Sequence, residues 1–378
     1  MKTLGVYIHV PFCVQKCAYC DFLSSPATRQ AQIEYLRALK REIESESVKY
    51  KEFEVDTVFF GGGTPSILES NDIIEVMQVL REFYNISENA EVSMEVNPAT
   101  ANLEKMIGLR NAGVNRLSIG LQSTNDEELK LLGRVHSYED FLETYSLARA
   151  VGFDNINIDL MSALPGQTIE TWIGTLNRVL DLRPQHISAY SLIIEEGTRL
   201  YDELDKFPPI PDEDEDRKMY QETKRILAQK GYERYEISNY AQKGYESRHN
   251  IRYWKRDNYV GFGLGSASMV ENVRWNNTSD MEVYLKELLE KTGSVKDDIQ
   301  KLTENECMEE FMFLGLRMIK GVSKTDFYKA FGKSIGEVYG SVILKWKKEN
   351  ILTENDDYIA LSDKGIDISN VVLSEFLL

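Results

Sequence analysis

Cys13-Val14-Gln15-Lys16-Cys17-Ala18-Tyr19-Cys20 places three cysteines in one short stretch at the spacing C-x3-C-x2-C. The remaining cysteine, Cys307, lies far away in sequence. An iron–sulfur cube normally takes four protein thiolates. Three leave one iron with an open position, as in a catalytic metal site rather than a closed structural one. A disulfide pair and a zinc site are the competing readings, since His9 could complete a Cys3His set. Structural zinc sites usually come as two separated ligand pairs, and no second pair exists here. His9 also sits on an apolar run, where a histidine is more often a packed core residue.

Around this stretch the first two hundred residues alternate strand and helix patterns. Strands are expected at Gly5–Val10, Thr57–Phe60, Glu91–Val96, Arg116–Ile119, Asn155–Met161 and His186–Leu192. The run Thr28–Ser47 puts Ile33, Leu36, Leu39 and Ile43 on one helix face. Ser137 followed by Asp140 reads as an N-cap with an acid at N3, and Gly113 and Gly152 read as helix ends. Repeated βα units imply a parallel sheet with helices outside. Six units make a partial (β/α)6 barrel, short of the eight needed for closure. In such barrels the chemistry gathers at the C-terminal ends of the strands. The residues expected there are the three cysteines, Gly61-Gly62-Gly63-Thr64-Pro65, Glu95 with Asn97, Gln122, Asp159 and Tyr190. Glycines let backbone approach a ligand closely. Glu95 could pair with a cationic group, Asp159 could accept from ribose hydroxyls, and Arg134 could hold a carboxylate.

The 378 residues suffice for one large and one smaller domain, and 42% of them are hydrophobic. No apolar run of membrane-spanning length occurs, and the N-terminus leads directly into a strand pattern. A cytoplasmic location is expected, with peripheral membrane contact as a variant. The net charge of −17 opposes phosphate backbones, so nucleic acid is not an expected partner.

The C-x3-C-x-aromatic-C pattern resembles the signature of the radical S-adenosylmethionine (SAM) superfamily. That resemblance implies a [4Fe-4S] cluster held by Cys13, Cys17 and Cys20, with SAM on the open iron and cleaved to a 5′-deoxyadenosyl radical. Tyr7 with Ile8-His9-Val10-Pro11-Phe12-Cys13, Gly61-Gly62-Gly63-Thr64-Pro65-Ser66, Glu95-Val96-Asn97-Pro98, Ser118-Ile119-Gly120-Leu121-Gln122-Ser123, Leu132-Gly133-Arg134 and Asp159-Leu160-Met161 are similar to the oxygen-independent coproporphyrinogen III oxidase family. The resemblance implies SAM contacts from Tyr7, the main chain near Tyr19, Gly62, Gly63, Thr64 and Glu95. In the oxidase itself, the positions matching Gln122, Arg134 and Asp159 bind a second SAM.

Two features depart from the oxidase. Phe22 stands where the oxidase has a further cysteine, and only twelve residues precede Cys13, where the oxidase has a long extension. A third feature is His249-Asn250-Ile251-Arg252-Tyr253-Trp254, similar to the His-Asn-x-x-Tyr-Trp motif of the heme-chaperone branch of the family. It implies a heme site at His249, Asn250, Tyr253 and Trp254, and heme delivery to respiratory enzymes of the membrane. A neutral imidazole can ligate heme iron, and aromatics can pack on the macrocycle. The ordinary role of such a histidine is a hydrogen-bonded core residue.

The expected organisation is a barrel over residues 1–200, a barrel extension carrying the motif over 201–295, and a small winged-helix-like domain over 296–378. Glu213–Lys230 reads as a helix with an acidic start, and Glu233–Tyr240 as a strand. Helices at Lys324–Phe331 and Ile335–Glu349 lead to a hairpin over Ile351–Ser362. Cys307 reads as a small buried hydrophobe. A heme-binding chaperone is the leading function. A SAM-dependent coproporphyrinogen III dehydrogenase and a zinc-stabilised winged-helix regulator are the alternatives.

Overall fold

The computed structural model describes residues 2–98, 100–291 and 293–378. Six parallel strands lie side by side in chain order: β1 (Lys2–Val10), β2 (Phe53–Gly62), β3 (Asn85–Val96), β4 (Arg116–Gln122), β5 (Ile156–Ser162) and β6 (His186–Ser191). Helices Arg29–Glu46, Ser70–Phe83, Leu103–Ala112, Tyr138–Ala150 and Ile169–Asp181 return the chain between them. The partial barrel forms as expected, and its sheet stays open. Successive strand residues face opposite sides. Leu4, Val6, Ile8 and Val10 of β1 and Val92, Met94 and Val96 of β3 pack under the helices. The alternate residues Tyr7, His9, Phe59, Glu95 and Asp159 are left for the barrel interior. The expected capping box at Ser137 and Asp140 is present. Gly113 closes the helix Leu103–Ala112 at φ 94°, the left-handed conformation that favours glycine.

Beyond β6 the chain serves both edges of the sheet. The single strand expected over Glu233–Tyr240 is instead two short ones, β7 (Glu233–Arg234) and β8 (Asn239–Ala241), paired with each other. The buried Glu236 carboxylate breaks the run by accepting the Ser238 N–H at 3.0 Å and the Asn239 side-chain amide. β8 pairs antiparallel with β6. The chain then forms the helix Arg248–Trp254 and joins the far edge as β9 (Tyr259–Phe262), parallel to β1. β10 (Ala267–Val270), β11 (Val273–Asn277) and β12 (Lys296–Lys301) extend that edge antiparallel.

Helices Glu304–Gly315, Lys324–Phe331 and Ile335–Lys348 and a small sheet containing the hairpin Leu352–Glu354/Tyr358–Leu361 form the C-terminal unit. Its core includes Met312, Phe327, Tyr339 and Phe376. The winged-helix-like order of helices then hairpin appears as expected. Two further short helices, Asp363–Asp367 and Ser369–Ser374, follow the hairpin. The unit joins the barrel through Ile319, whose N–H donates to the Tyr235 carbonyl at 3.0 Å. Arg256 and Arg274 both pair with the buried Glu310, at 2.8 and 2.7 Å. Cys307 is buried as expected, but it is not purely apolar in its surroundings: its sulfur takes an N–H from Arg256 at 3.1 Å.

The extra edge is tied to the barrel by Glu42 on the helix Arg29–Glu46. Its buried carboxylate accepts the Gly263 N–H at 2.9 Å, the Asn277 amide at 2.5 Å and the Tyr284 hydroxyl at 2.5 Å. Burial pushes this carboxyl up from about 4.5 to about 7. A carboxyl raised in the folded state contributes stability that is fully present below its unfolded pKa and lost as pH rises through the folded one. Stability should therefore fall between about pH 4.5 and pH 7, and Glu42→Gln should flatten that part of the thermal-melting profile relative to the parent. Glu42→Ala, which orphans the buried Gly263 N–H and Tyr284 hydroxyl, should lower unfolding free energy by about 3 kcal/mol in a urea titration.

Candidate functional site

The cysteine loop hangs from the C-terminal end of β1 and is pinned at three points. Its base is held by the Cys13 N–H to the Ser25 carbonyl at 3.2 Å and the Ser25 N–H to the Pro11 carbonyl at 3.0 Å. Its far side is held where the Ala18 N–H meets the Leu132 carbonyl and the Ala18 carbonyl takes the Leu200 N–H, both at 2.8 Å. The glycine stretch closes on this loop. The Gly63 N–H bonds the Val10 carbonyl at 2.9 Å and the Thr64 N–H bonds the Phe12 carbonyl at 2.7 Å. A Cβ at Gly63 would lie 2.6 Å from the Phe12 oxygen and 3.0 Å from the Cys13 sulfur. Gly62 has φ 112°, and a Cβ there would strike the His9 ring. The glycines are thus explained by backbone packed against the thiolate-bearing strand.

Donors aim at two of the three sulfurs. The Thr64 hydroxyl lies 3.5 Å from Cys13 Sγ and Arg134 Nη1 lies 3.7 Å from Cys17 Sγ. Such donors favour the thiolate form that metal ligation needs. Among the described residues Cys20 has no side-chain donor of this kind, and burial pushes its thiol up. The donor set fits a cluster with three protein thiolates. It does not fit the zinc alternative. The carbonyl of Leu23 can only accept, so His9 Nε2, 2.9 Å away, carries the proton. Nδ1 then accepts from the Tyr7 hydroxyl at 3.1 Å, and no lone pair is left for a metal.

The other rim residues gather at the same end. Glu95 is half-buried in the barrel mouth, where the Gly62 N–H donates to it at 3.1 Å. Burial first, and the Asp159 charge second, push its carboxyl up to about 8. Asp159 is half-buried on β5, with one oxygen taking the Ser118 hydroxyl at 2.9 Å and the other the Asn157 amide at 2.8 Å. Arg134 lies beside Tyr19. It donates to the Gly120 carbonyl at 2.6 Å and to the Asn97 side chain. Gln122 adopts φ 71° at an irregularity in the β4–β5 pairing. Tyr190 is 39% exposed near the end of β6.

The motif helix Arg248–Trp254 lies at the other end of the barrel. Its first N–H groups, from Arg248 and His249, donate to the buried Glu91 at 3.0 and 3.2 Å, at the N-terminal side of β3. Arg252 crosses Gly5 of β1, where a Cβ would lie 2.4 Å from its side chain, and pairs with Asp56. His249 is 1% exposed. Its Nδ1 shares a hydrogen bond with Thr57 Oγ1 and its Nε2 with the Tyr253 hydroxyl, both at 2.9 Å. Burial pushes its pKa down to about 3, so the ring is neutral. Both nitrogens are engaged, and ligation of iron through Nε2 requires the Tyr253 hydroxyl to swing away. Stacked rings connect the two ends: His249 on Phe59 at 5.2 Å and Phe59 on Tyr7 at 6.3 Å. The six residues of β2 from Thr57 to Gly62 span about 16 Å at the usual rise.

Comparison with known proteins gives the family. The model of the radical SAM superfamily matches residues 7–179, and that of the HemN C-terminal domain matches residues 302–368. The heme chaperone HemW of Bacillus subtilis is 36% identical over 375 residues, covering 99% of both chains. This chain belongs to the HemW family of radical SAM proteins. HemW of Escherichia coli is 31% identical across all of this chain and 99% of its own length. A mitochondrial radical SAM domain-containing protein 1 of Danio rerio is 32% identical over 90% of this chain and 81% of its own. The solved coproporphyrinogen III oxidase (HemN) of Escherichia coli, a radical SAM enzyme, superimposes with TM-score 0.87 at 25% identity, over 99% of this chain and 90% of that one.

Sequence reasoning missed the floor of the HemW-family barrel. Glu91 was visible only as a strand residue, yet it organises the motif helix from 158 positions away. A lone acid at the start of an apolar strand was the available signal. His249→Ala should orphan two hydroxyls and open a cavity beside Phe59. Chemical denaturation should report a loss of about 3–5 kcal/mol.

Proposed function

We propose that this protein is a heme-binding chaperone of the radical SAM type. The observation that carries the reading is its full-length similarity to heme chaperones, over 99% of both chains for the Bacillus protein. The local chemistry is in keeping with it. Phe22, where the oxidase branch has a cysteine, is 63% exposed beside the cluster loop.

In this reading Cys13, Cys17 and Cys20 hold a [4Fe-4S] cluster, which when bound supplies a low-potential electron to SAM. The chain's own residues do the rest. Gly62 and Gly63 bring backbone close to the ligand, and Thr64 and Arg134 steady the thiolates. Glu95, desolvated beneath the rim, accepts a donor or cation that SAM brings. Tyr7, Tyr19, Gln122 and Asp159 line the remainder. His249, Asn250, Tyr253 and Trp254 form the heme-side element at the barrel floor. The proposed recipients are heme-dependent respiratory proteins of the membrane, met from the cytoplasmic side. Among the described residues no helix is long and apolar enough to cross a membrane.

Anaerobic purification with iron, acid-labile sulfide and heme measured on one sample tests this. About four irons and four sulfides per chain are expected, with stoichiometric heme binding and no turnover of coproporphyrinogen III. Turnover with SAM consumption would return the chain to the oxidase reading. Cys17→Ser should abolish the visible cluster absorption. Gly63→Ala, whose Cβ displaces Cys13, should cut iron content to a small fraction of the parent's while far-ultraviolet circular dichroism is unchanged.

A further inference from the structure

Asn97 stands one residue past the end of β3. The sheet places β3 between β2 and β4, so this side chain reaches the segments that follow both neighbours. On one side Thr64 Oγ1 lies 3.5 Å from Asn97 Nδ2. On the other, Arg134 Nη2 donates to Asn97 Oδ1. Thr64 and Arg134 are the two residues whose donors aim at cysteine sulfurs, the Thr64 hydroxyl at Cys13 Sγ and Arg134 Nη1 at Cys17 Sγ. One amide therefore joins the donors of two sulfurs.

The chemistry of the partners fixes which way that amide faces. A guanidinium carries donors and no acceptor, so the Asn97 atom against Arg134 is the carbonyl oxygen. The NH2 group is left to Thr64, and it can only donate. The Thr64 oxygen accepts there with a lone pair, which frees its own proton for Cys13 Sγ. An amide turned over would set donor against donor at Arg134 and draw the Thr64 proton away from sulfur. Arg134 is constrained in the same way. Its Nη2 serves the Asn97 oxygen and the Gly120 carbonyl, the latter at 2.6 Å, and Nη1 is left over Cys17. Hydrogen bonds in such a chain polarise one another.

The backbone at Asn97 is held separately. Its N–H donates to Ser66 Oγ at 3.0 Å, and its carbonyl takes the Thr100 N–H at 3.1 Å and the Thr100 hydroxyl at 2.6 Å. Lys105 Nζ bridges the carbonyls of Ser66 and Thr100 at 2.8 and 3.0 Å. None of these bonds uses the Asn97 side chain, so a change of side chain leaves the frame of the loop standing.

We propose that Asn97 is a positioning residue for the cluster, setting the Thr64 proton on Cys13 and the Arg134 guanidinium on Cys17 together and so raising the cluster's reduction potential. Hydrogen bonds to the sulfurs are among the determinants of that potential, and the partners of metal ligands orient and tune them. Donation to sulfur favours the reduced cluster, which carries one more negative charge. The inference rests on the [4Fe-4S] reading and adds a residue to it.

The test uses the full-length protein, reconstituted anaerobically with iron and sulfide and titrated with dithionite, the reduced cluster being followed by electron paramagnetic resonance. Asn97→Asp keeps the size of the side chain and its bond to Arg134 but puts an acceptor against Thr64, so the hydroxyl proton turns away from Cys13. Thr64→Val removes that proton outright. Alone, Thr64→Val should lower the ratio of reduced to oxidised cluster at a fixed potential about tenfold, a shift of about 59 mV. In the Asn97→Asp background the same change should shift the potential by less than about a third as much, because the hydroxyl no longer serves the sulfur. Comparing the two shifts cancels the charge that Asn97→Asp itself adds. Asn97→Leu, close in volume, removes both links and should release iron to a chelator about tenfold faster than the parent, as loss of one hydrogen bond implies. Equal Thr64→Val shifts in both backgrounds, no shift in either, or parent-like iron release from Asn97→Leu overturns the positioning role while the cluster stands. A parent that takes up no iron and sulfide overturns the cluster reading and this role together.

Discussion

In a parallel sheet bent into part of a barrel, each strand sends alternate side chains to opposite layers, and every other feature of this protein depends on that alternation. In β1, Leu4, Val6, Ile8 and Val10 face the helices, so Tyr7 and His9 must face the interior. In β3, Val92, Met94 and Val96 go outward, so Glu91 and Glu95 go inward at opposite ends. A slip of one residue would bury acids among the helices and empty the interior of its chemistry. The large apolar layer beneath the helices therefore sets where the polar residues stand.

The interior so created has two distinct ends. At the C-terminal end of the strands the backbone is close to the thiolate loop, and the polar groups are aimed at sulfurs or held as a desolvated carboxyl. At the N-terminal end a short helix acts as a floor, anchored through its first N–H groups on Glu91 and through Arg252 on Asp56. Stacked rings of His249, Phe59 and Tyr7 fill the space between. Glu42 and Glu236 play similar structural parts, each gathering backbone and side-chain donors where the chain changes direction. Burying such carboxylates is tolerable because several donors satisfy each one.

Much of the rim was legible because its signals are local. Three cysteines at short spacing, a glycine triplet after a strand and an acid ending an apolar run each announce themselves within a few residues. The six strands were legible from their periodicity, although β2 and β3 run further toward their N-termini than their apolar runs alone suggest. The split of β7 and β8 was not legible, since it follows from the Glu236 carboxylate capturing Ser238 and Asn239. The state of His249 was not legible either. Its partners Thr57 and Glu91 lie more than 150 positions away, and the identity of its neighbours decides whether its nitrogens are open.

The amino-acid sequence alone determined the class of the fold, the thiolate trio and the helix that carries the motif, because spacing and periodicity are properties of neighbouring residues. Only tertiary structure decided that the thiolates and the motif occupy opposite ends of one barrel, that His9 has no lone pair to give a metal, and that Asn97 joins the donors of two sulfurs. Those outcomes depend on which distant strands become neighbours, and sheet pairing over long separations is not encoded in any short stretch.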